Sequence, residues 1–345
     1  MTLDEISILS VYSAMAVYAI AFIAYSIDLA KRSAASATAA DAQVAAASGT
    51  TSKAAATAAA GGSVQTAVKA NAPAKAASAR PGGDGAVAYG RSPSLRVAVA
   101  MTVIAWALHL AATVLRGIAA ERVPWANMYE FALTGTLVIT TVYLVVITFS
   151  RTTDLRFLGT FITGLVLVSL GVATVNFYVS VVPLPPALQS YWLVIHVFVA
   201  TAAVGFFALG FALSVVQLMQ SRREAIAATA DAAKKSFLAT LPSAASLENL
   251  AYRINIIGFI LWTFTLMAGA IWAEKAWGRY WGWDTKEVWT FIIWVVYAGY
   301  IHARATRGWR GTRSAWLAII GFSAVLFNFT VVNLFFKGLH AYSGL

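Results

Sequence analysis

Apolar runs, each about long enough to cross a bilayer, recur along most of the chain. Eight stand out, over roughly 6–29, 95–116, 128–149, 156–175, 191–219, 251–273, 287–303 and 314–336. The pattern predicts an all-α polytopic membrane protein of about eight transmembrane helices. Only five residues precede the first run. They lack the basic start of a signal peptide, and the run is too long for a leader's apolar core, so it reads as a retained helix. Between the first two runs, residues 33–90 are Ala, Ser, Thr and Gly with scattered Lys and no apolar period. Such a stretch has little to bury against the entropy of ordering. The expected organisation is a first transmembrane helix over 1–30, a disordered Ala-rich cytoplasmic linker over 31–94, and a seven-helix bundle over 95–345. A second Ala-rich stretch, 224–240, reads as a surface helix or loop.

Composition agrees. Of 345 residues 60% are hydrophobic and 11% charged, with mean hydropathy +0.73, against about 25% charged in a typical soluble chain. The net charge of +11 sorts by side. With both termini on the outer (extracytoplasmic) side, Arg151, Arg222, Arg223, Arg304, Arg307, Arg310 and Arg313 all lie inside, as the positive-inside rule asks. This explains the basicity by membrane topology and lipid, with no nucleic acid. Cysteine is absent, which excludes disulfides, iron–sulfur clusters, thiolate zinc sites and a Cys nucleophile. The spans hold almost no acids away from their ends, which argues against an ion or proton carrier. Four histidines remain as metal-capable groups, His109, His196, His302 and His340.

The chemistry concentrates at the outer ends of the sixth and seventh runs. Six of the twelve tryptophans fall between Trp272 and Trp294. An aromatic belt at the headgroup level accounts for Trp272 and Trp289. It leaves Trp277, Trp281 and Trp283 unexplained, crowded into one short loop with Gly278 and Gly282. Lys275, Arg279 and Lys286 are interleaved with them. Aromatic faces plus cations suit a planar, apolar, dianionic ligand. Asp284 and Glu287 have the spacing of a capping box at the start of the next helix, which is their first expected role. Asn127 and Glu130 have an N-cap and N3 spacing too, beside Trp125. Pro183, Pro185 and Pro186 predict a rigid turn before the fifth run.

The string WGRYWGWDTKEVW (277–289) resembles the WWD signature of the haem-handling cytochrome c biogenesis proteins. PWANMYE (124–130) and NLFFKGLHAYSG (333–344) are similar to the outer loop and carboxy-terminal segment of the CcsA type (CcsB or ResC in some bacteria) of System II. The resemblance covers 95–345, with the WWD loop at 272–290. WWD motifs also occur in System I proteins, so the motif by itself implies haem handling, while length and the GLHAYSG ending favour System II.

Imidazole is the commonest ligand for haem iron among the residue types present. His196 lies a few residues into the fifth run from its outer end, and His340 follows the last run on the same side. Read by themselves, His196 is first a buried imidazole hydrogen-bonded to a neighbouring helix and His340 an interfacial tail residue, with the ligand role second. The resemblance implies that they are the axial ligands of an outer haem site, with Trp277, Trp281, Trp283 and Asp284 around it. It also assigns His302, at the cytoplasmic end of the seventh run beside Ala298 and Gly299, to a transmembrane haem site used in export. No motif covers His109, a weaker candidate for a second ligand there or for a helix–helix hydrogen bond.

The implied function is a haem-handling and export subunit of a cytochrome c haem lyase. Haem b, as ligand and substrate, is presented for thioether attachment to the C-x-x-C-H motif of apocytochrome c. Arg279, Lys286 or Lys337 is expected to pair with the haem propionates. The resemblance further implies a ResB/Ccs1-type membrane subunit and thiol-reducing pathway proteins; the Ala-rich linker favours a bacterial plasma membrane over a thylakoid, whose members share the core motifs. A haem transporter without attachment activity, or a System I-type delivery protein, is the alternative.

Overall fold

The computed structural model describes residues 1–58, 92–150, 153–184, 186–229, 236–306, 308–336 and 338–340, and among these every regular element is helical. The helices are α1 (Leu3–Ala58), α2 (Pro93–Ala120), α3 (Met128–Phe149), α4 (Gly159–Asn176), α5 (Tyr191–Thr229), α6 (Ala244–Trp277), α7 (Thr285–Thr306), α8 (Thr312–Phe329) and the short α9 (Val331–Phe335). α1 continues to Ala58, through the first part of the stretch read as linker, in keeping with the high helix propensity of alanine. The rest of that stretch, 59–91, lies outside the described residues.

Among the described residues, seven helices rather than eight are long and apolar enough to cross a membrane, and α7 is not one of them. Lys286, Glu287, His302 and Arg304, with four Trp and Tyr residues, lower its hydropathy. Yet α7 has 22 residues, as many as α3, and runs the length of α6 in the opposite sense. The Trp262 indole donates to the Thr290 carbonyl at 3.1 Å, the Trp294 indole to the Thr263 hydroxyl at 3.0 Å, and Arg304 to the Glu248 carbonyl at 3.0 Å. Apart from the exposed His302, the charged groups along its length bond to neighbouring helices or the loop before it instead of facing lipid, which is how such a helix persists at membrane depth.

The same antiparallel logic orders the neighbours. His196 and Thr265, then Phe207 and Gly258, then Gly210 and Asn255 mark α5 against α6. Trp289 with Phe327 and Tyr297 with Gly321 mark α7 against α8. Glycines make these approaches possible: a Cβ on Gly258 would lie 2.7 Å from the Phe207 ring, and one on Gly321 2.9 Å from Tyr297. Small residues at the crossing let the backbones close up where apolar burial alone gives no drive. α1 lies along α2, with Ser7 donating to the Ala112 carbonyl and Asp28 accepting from the hydroxyls of Ser92, the N-cap of α2, and Ser94.

An ionic knot ties α1 to the rest at one end of the bundle. Arg116 is fully buried and reaches Asp4 at 2.6 Å, Glu130 at 3.0 Å and the Val179 carbonyl at 2.8 Å. Glu130, equally buried, also takes Arg122 at 2.6 Å. Asn127 caps α3 by accepting from the Glu130 amide at 2.9 Å, as its sequence spacing predicts. The first turn of α1, the start of α3 and the described end of the chain therefore share one end of the bundle, since Asn333 reaches Met128 there. Glu130→Ala removes the buried carboxylate that Arg116 and Arg122 share, leaving Arg116 with Asp4 and Arg122 with no ion pair among the described residues. It is expected to destabilise the protein by ~3–5 kcal/mol, read as a lowered Tm of the detergent-solubilised protein, whereas Tyr178→Phe, at the exposed rim of the knot, should cost far less.

Candidate functional site: a two-histidine cleft walled by tryptophan

At the same end, α5, α6, α7, α8 and the start of α3 enclose a cleft of about 150 Å³. Its walls include Trp125, Met128, Phe131, Trp262, Trp272, Tyr280, Trp281 and Phe329, with His196 and His340 among the polar groups. His196 comes from the first turns of α5. The turn Pro186–Leu188 before that helix buries Leu188 against Leu193 and Trp272, which sets where α5 begins. His340 comes from the tail after α9.

Each imidazole is fixed through Nδ1. His196 Nδ1 donates to the Thr265 carbonyl at 2.9 Å. A carbonyl only accepts, so the neutral ring carries its proton there and Nε2 keeps its lone pair. Gly269, one turn further along α6, makes room for the ring: a Cβ there would lie 2.7 Å from it. His340 Nδ1 donates to Asp284 at 2.7 Å. Among the described residues neither Nε2 makes a hydrogen bond. Two imidazoles held by their outer nitrogens with the inner ones free is the arrangement that metal-binding histidines adopt, with the backing group setting tautomer and orientation.

The loop between α6 and α7 builds this from its own sequence. Gly278, with φ of 70°, ends α6 in the left-handed conformation. The capping box expected at Asp284–Glu287 forms: Glu287 accepts from the amides of Gly282 at 2.8 Å and Asp284 at 3.0 Å. Asp284 accepts from the Lys286 amide at 3.3 Å, then does more than cap. It also takes the Leu339 amide at 3.1 Å and His340, so one carboxylate joins the start of α7 to the tail. Gly338 lets the tail come this close, since a Cβ there would sit 2.1 Å from the carboxylate. The hydrogen bond from His340 is the main reason that the Asp284 carboxyl lies below its ordinary value, against partial burial that raises it.

The tryptophans divide. Trp281 lines the cleft; Trp277 stands behind it, edge-on to the His340 ring at 4.8 Å; Trp283 is 75% exposed with φ of 60°, unusual for a bulky side chain. Trp272, which the sequence assigns to the headgroup belt, is instead buried, stacked on His196 at 5.9 Å and edge-on to His340 at 5.5 Å. It packs with Leu188 and Leu193 in one buried cluster. Sequence reasoning also missed Trp262, Met128, Asn328 and Asn333 as wall residues, because they lie in other spans and only helix packing brings them here. Lys286 lines the cleft, Arg279 is exposed and folded over Gly282, and Lys337 lies outside the described residues.

The other two histidines lie elsewhere. His109 is fully buried, with Nε2 2.8 Å from the Leu133 carbonyl and Nδ1 3.4 Å from the Tyr18 hydroxyl, so both nitrogens are engaged in helix–helix hydrogen bonds. His302 is exposed on α7, beside a Gly299 with open space at its Cα.

A helical bundle whose spans are long and apolar enough to cross a membrane, with an imidazole-lined, tryptophan-walled cleft at one end, defines the class of the chain. The chain belongs to the cytochrome c assembly protein family, whose profile matches residues 125–340, and is of the type whose curated relatives carry the name cytochrome c biogenesis protein CcsA. The relative from Prochlorococcus marinus is 35% identical over 277 residues, covering 73% of this chain and 84% of its own length. That from Guillardia theta is 35% identical over 240 residues, covering 64% and 77%. One from Synechococcus elongatus is 39% identical over 196 residues, covering 46% and 60%. Among solved structures, cytochrome c haem lyase CcmF has a similar fold, with TM-score 0.61 at 15% identity. The match covers all of this chain, which spans about half the length of that protein.

Two outcomes follow. Asp284 has a depressed carboxyl, so its contribution to stability is complete above the ordinary Asp value near 3.9 and fades as pH falls through the lower folded-state value. An acid series of melting curves should show this loss in the wild type, and Asp284→Asn should lack that component. Gly269→Ala should push the His196 ring off α6, seen as a shifted imidazole resonance in ¹⁵N-histidine spectra, with the His340 signal in place.

Proposed function

We propose that the cleft is the outer haem site of a System II cytochrome c synthetase, with His196 and His340 as the axial ligands of haem b. The observation that carries this is the pair of imidazoles fastened through Nδ1, each with a free Nε2, on the wall of one aromatic cleft. Family membership supplies the setting, cytochrome c biogenesis. The end of the bundle that holds the cleft would face outward, as the distribution of Lys and Arg asks.

In this reading haem is the substrate. The chain positions it, with Trp272 and Trp281 along the porphyrin and the imidazoles governing the iron. Apocytochrome c brings both thiols, and each S–H adds across a vinyl group, sulfur to the carbon next to the ring and the proton to the terminal carbon. The chain has no cysteine to compete for the haem. Its contribution is orientation and exclusion, which bring the vinyl groups and thiols into reach.

His302 fits a second, transmembrane site shared with a partner. Its ring is exposed, and on the same stripe of α7 Val295 and Phe291 are exposed too. A polar ring directed away from its own bundle calls for a partner inside the membrane, and a ResB/Ccs1-type subunit is the proposed source. The thiol-reducing proteins act on the client and leave no mark on this chain.

Purified protein should carry haem with a six-coordinate low-spin spectrum. His196→Ala or His340→Ala should turn it high-spin and abolish holocytochrome c formation when co-expressed with the partner and a cytochrome c substrate, and added imidazole should restore part of the low-spin signal. Maturation that proceeds normally in both variants overturns the assignment. Haem transfer into the outer compartment without thioether formation in the co-expression system identifies a transporter instead.

A further inference from the structure

We propose that Lys286 is the carboxylate receptor of the cleft and sets which way round the haem lies in it, an assignment that rests on the haem-site reading above. Three cations, Lys275, Arg279 and Lys286, are interleaved with the tryptophans of the loop, and their positions separate them. Arg279 is exposed and lies over Gly282, outside the wall. Lys275 pairs with Glu274 at 3.0 Å on the exposed side of α6. Among the described residues, Lys286 is the one lysine or arginine on the cleft wall, on a wall that also carries both histidines.

Its surroundings leave its charge unanswered. The ammonium reaches the Asn333 side-chain oxygen and lies 5.1 Å from the centre of the Phe329 ring. Both are neutral. The carboxylates beside it in sequence are already engaged, Asp284 with the tail and His340, Glu287 with the loop amides. Among the described residues no ion pair includes Lys286. An ammonium has three donors, so two remain for a ligand. A cation held in an aromatic cleft without a counterion is costly, and a carboxylate arriving with the ligand removes that cost through a charge-assisted hydrogen bond. Asn333 holds the side chain in place from α9, and in turn reaches the Met128 sulfur, also on the cleft wall, at 3.2 Å.

Haem carries both propionates on one edge and its vinyl groups toward the other. A carboxylate receptor on the α7 wall therefore directs the propionate edge to α7 and Asn333, and presents the vinyl edge away from them. The receptor then acts on orientation as well as affinity: which vinyl carbon meets which client thiol depends on how the macrocycle is seated.

The test uses full-length protein in detergent, stripped of haem and titrated with haem b and, separately, with its dimethyl ester, whose propionates cannot pair with a cation. Soret titration gives Kd for the wild type, Lys286→Met and Lys286→Arg. Loss of a charged hydrogen bond corresponds to about ten- to hundredfold in affinity. Lys286→Met should lose that for haem and bind the ester as the wild type does, and Lys286→Arg should retain most of the haem affinity. Equal losses for haem and ester would make Lys286 a prop of the wall and overturn the proposal, as would an unchanged Kd for haem. If Lys286→Met does not melt cooperatively, Lys286→Gln replaces it. Wild-type protein that binds neither haem nor ester in low-spin form would mean that the haem-site reading has failed, an outcome visible before any variant is compared.

Discussion

One carboxylate holds the site together. Asp284 caps α7, takes the tail through the Leu339 amide and fixes the His340 ring through Nδ1. Without it the described tail residues lose both of these hydrogen bonds, and His340, which belongs to no helix, keeps only its edge contacts with Trp272 and Trp277. The bond also has an asymmetry that the His196 side lacks. His196 is backed by a neutral carbonyl within a helix pair, so its position is as rigid as α5 against α6. His340 is backed by a charge on a loop, so its position depends on that loop and on the capping box that shapes it. The two rings are thus backed differently, one by the rigid packing of a helix pair and one by a tether from a loop carboxylate.

The bundle serves this site by lining up polar groups that the lipid would reject. α7 is the clearest case. It is less apolar than the other spans, yet Lys286 reaches Asn333 on the cleft wall, Glu287 closes the loop before the helix and Arg304 reaches α6, while His302 alone of these four is exposed. The buried Arg116–Glu130 pair does the same for α1 and the start of α3. Buried pairs like this are weak evidence for net stability, since desolvation offsets most of the attraction. Their effect here is registration: Glu130 lies in the Asn127-capped first turn that puts Asn127, Met128 and Phe131 on the wall of the cleft.

Much of this was legible in the sequence, and the limits have physical causes. Apolar length identified the other spans, because a bilayer imposes length and composition together. It overstated α7 as an ordinary span, since aromatic and polar side chains satisfied by neighbours look the same as side chains facing water. The capping boxes at Asn127 and Asp284 were readable because they are local. The outward role of Asp284 toward His340 was not, as 56 residues separate the pair and only the return of α8 and the tail closes that distance. Trp272 shows the same limit: its place at a helix end suggests a lipid belt, and only the turn at Pro186–Leu188, packed over it, moves it into the site.

The central claim is that one haem is held between His196 and His340. A structure of the haem-loaded protein tests it most directly. The account predicts iron bonded to Nε2 of both residues, with the Nδ1 bonds to Thr265 and Asp284 intact and the propionates toward Lys286. Iron bound by neither imidazole, or a loaded cleft in which His340 has left Asp284 and takes no part in ligation, would contradict it.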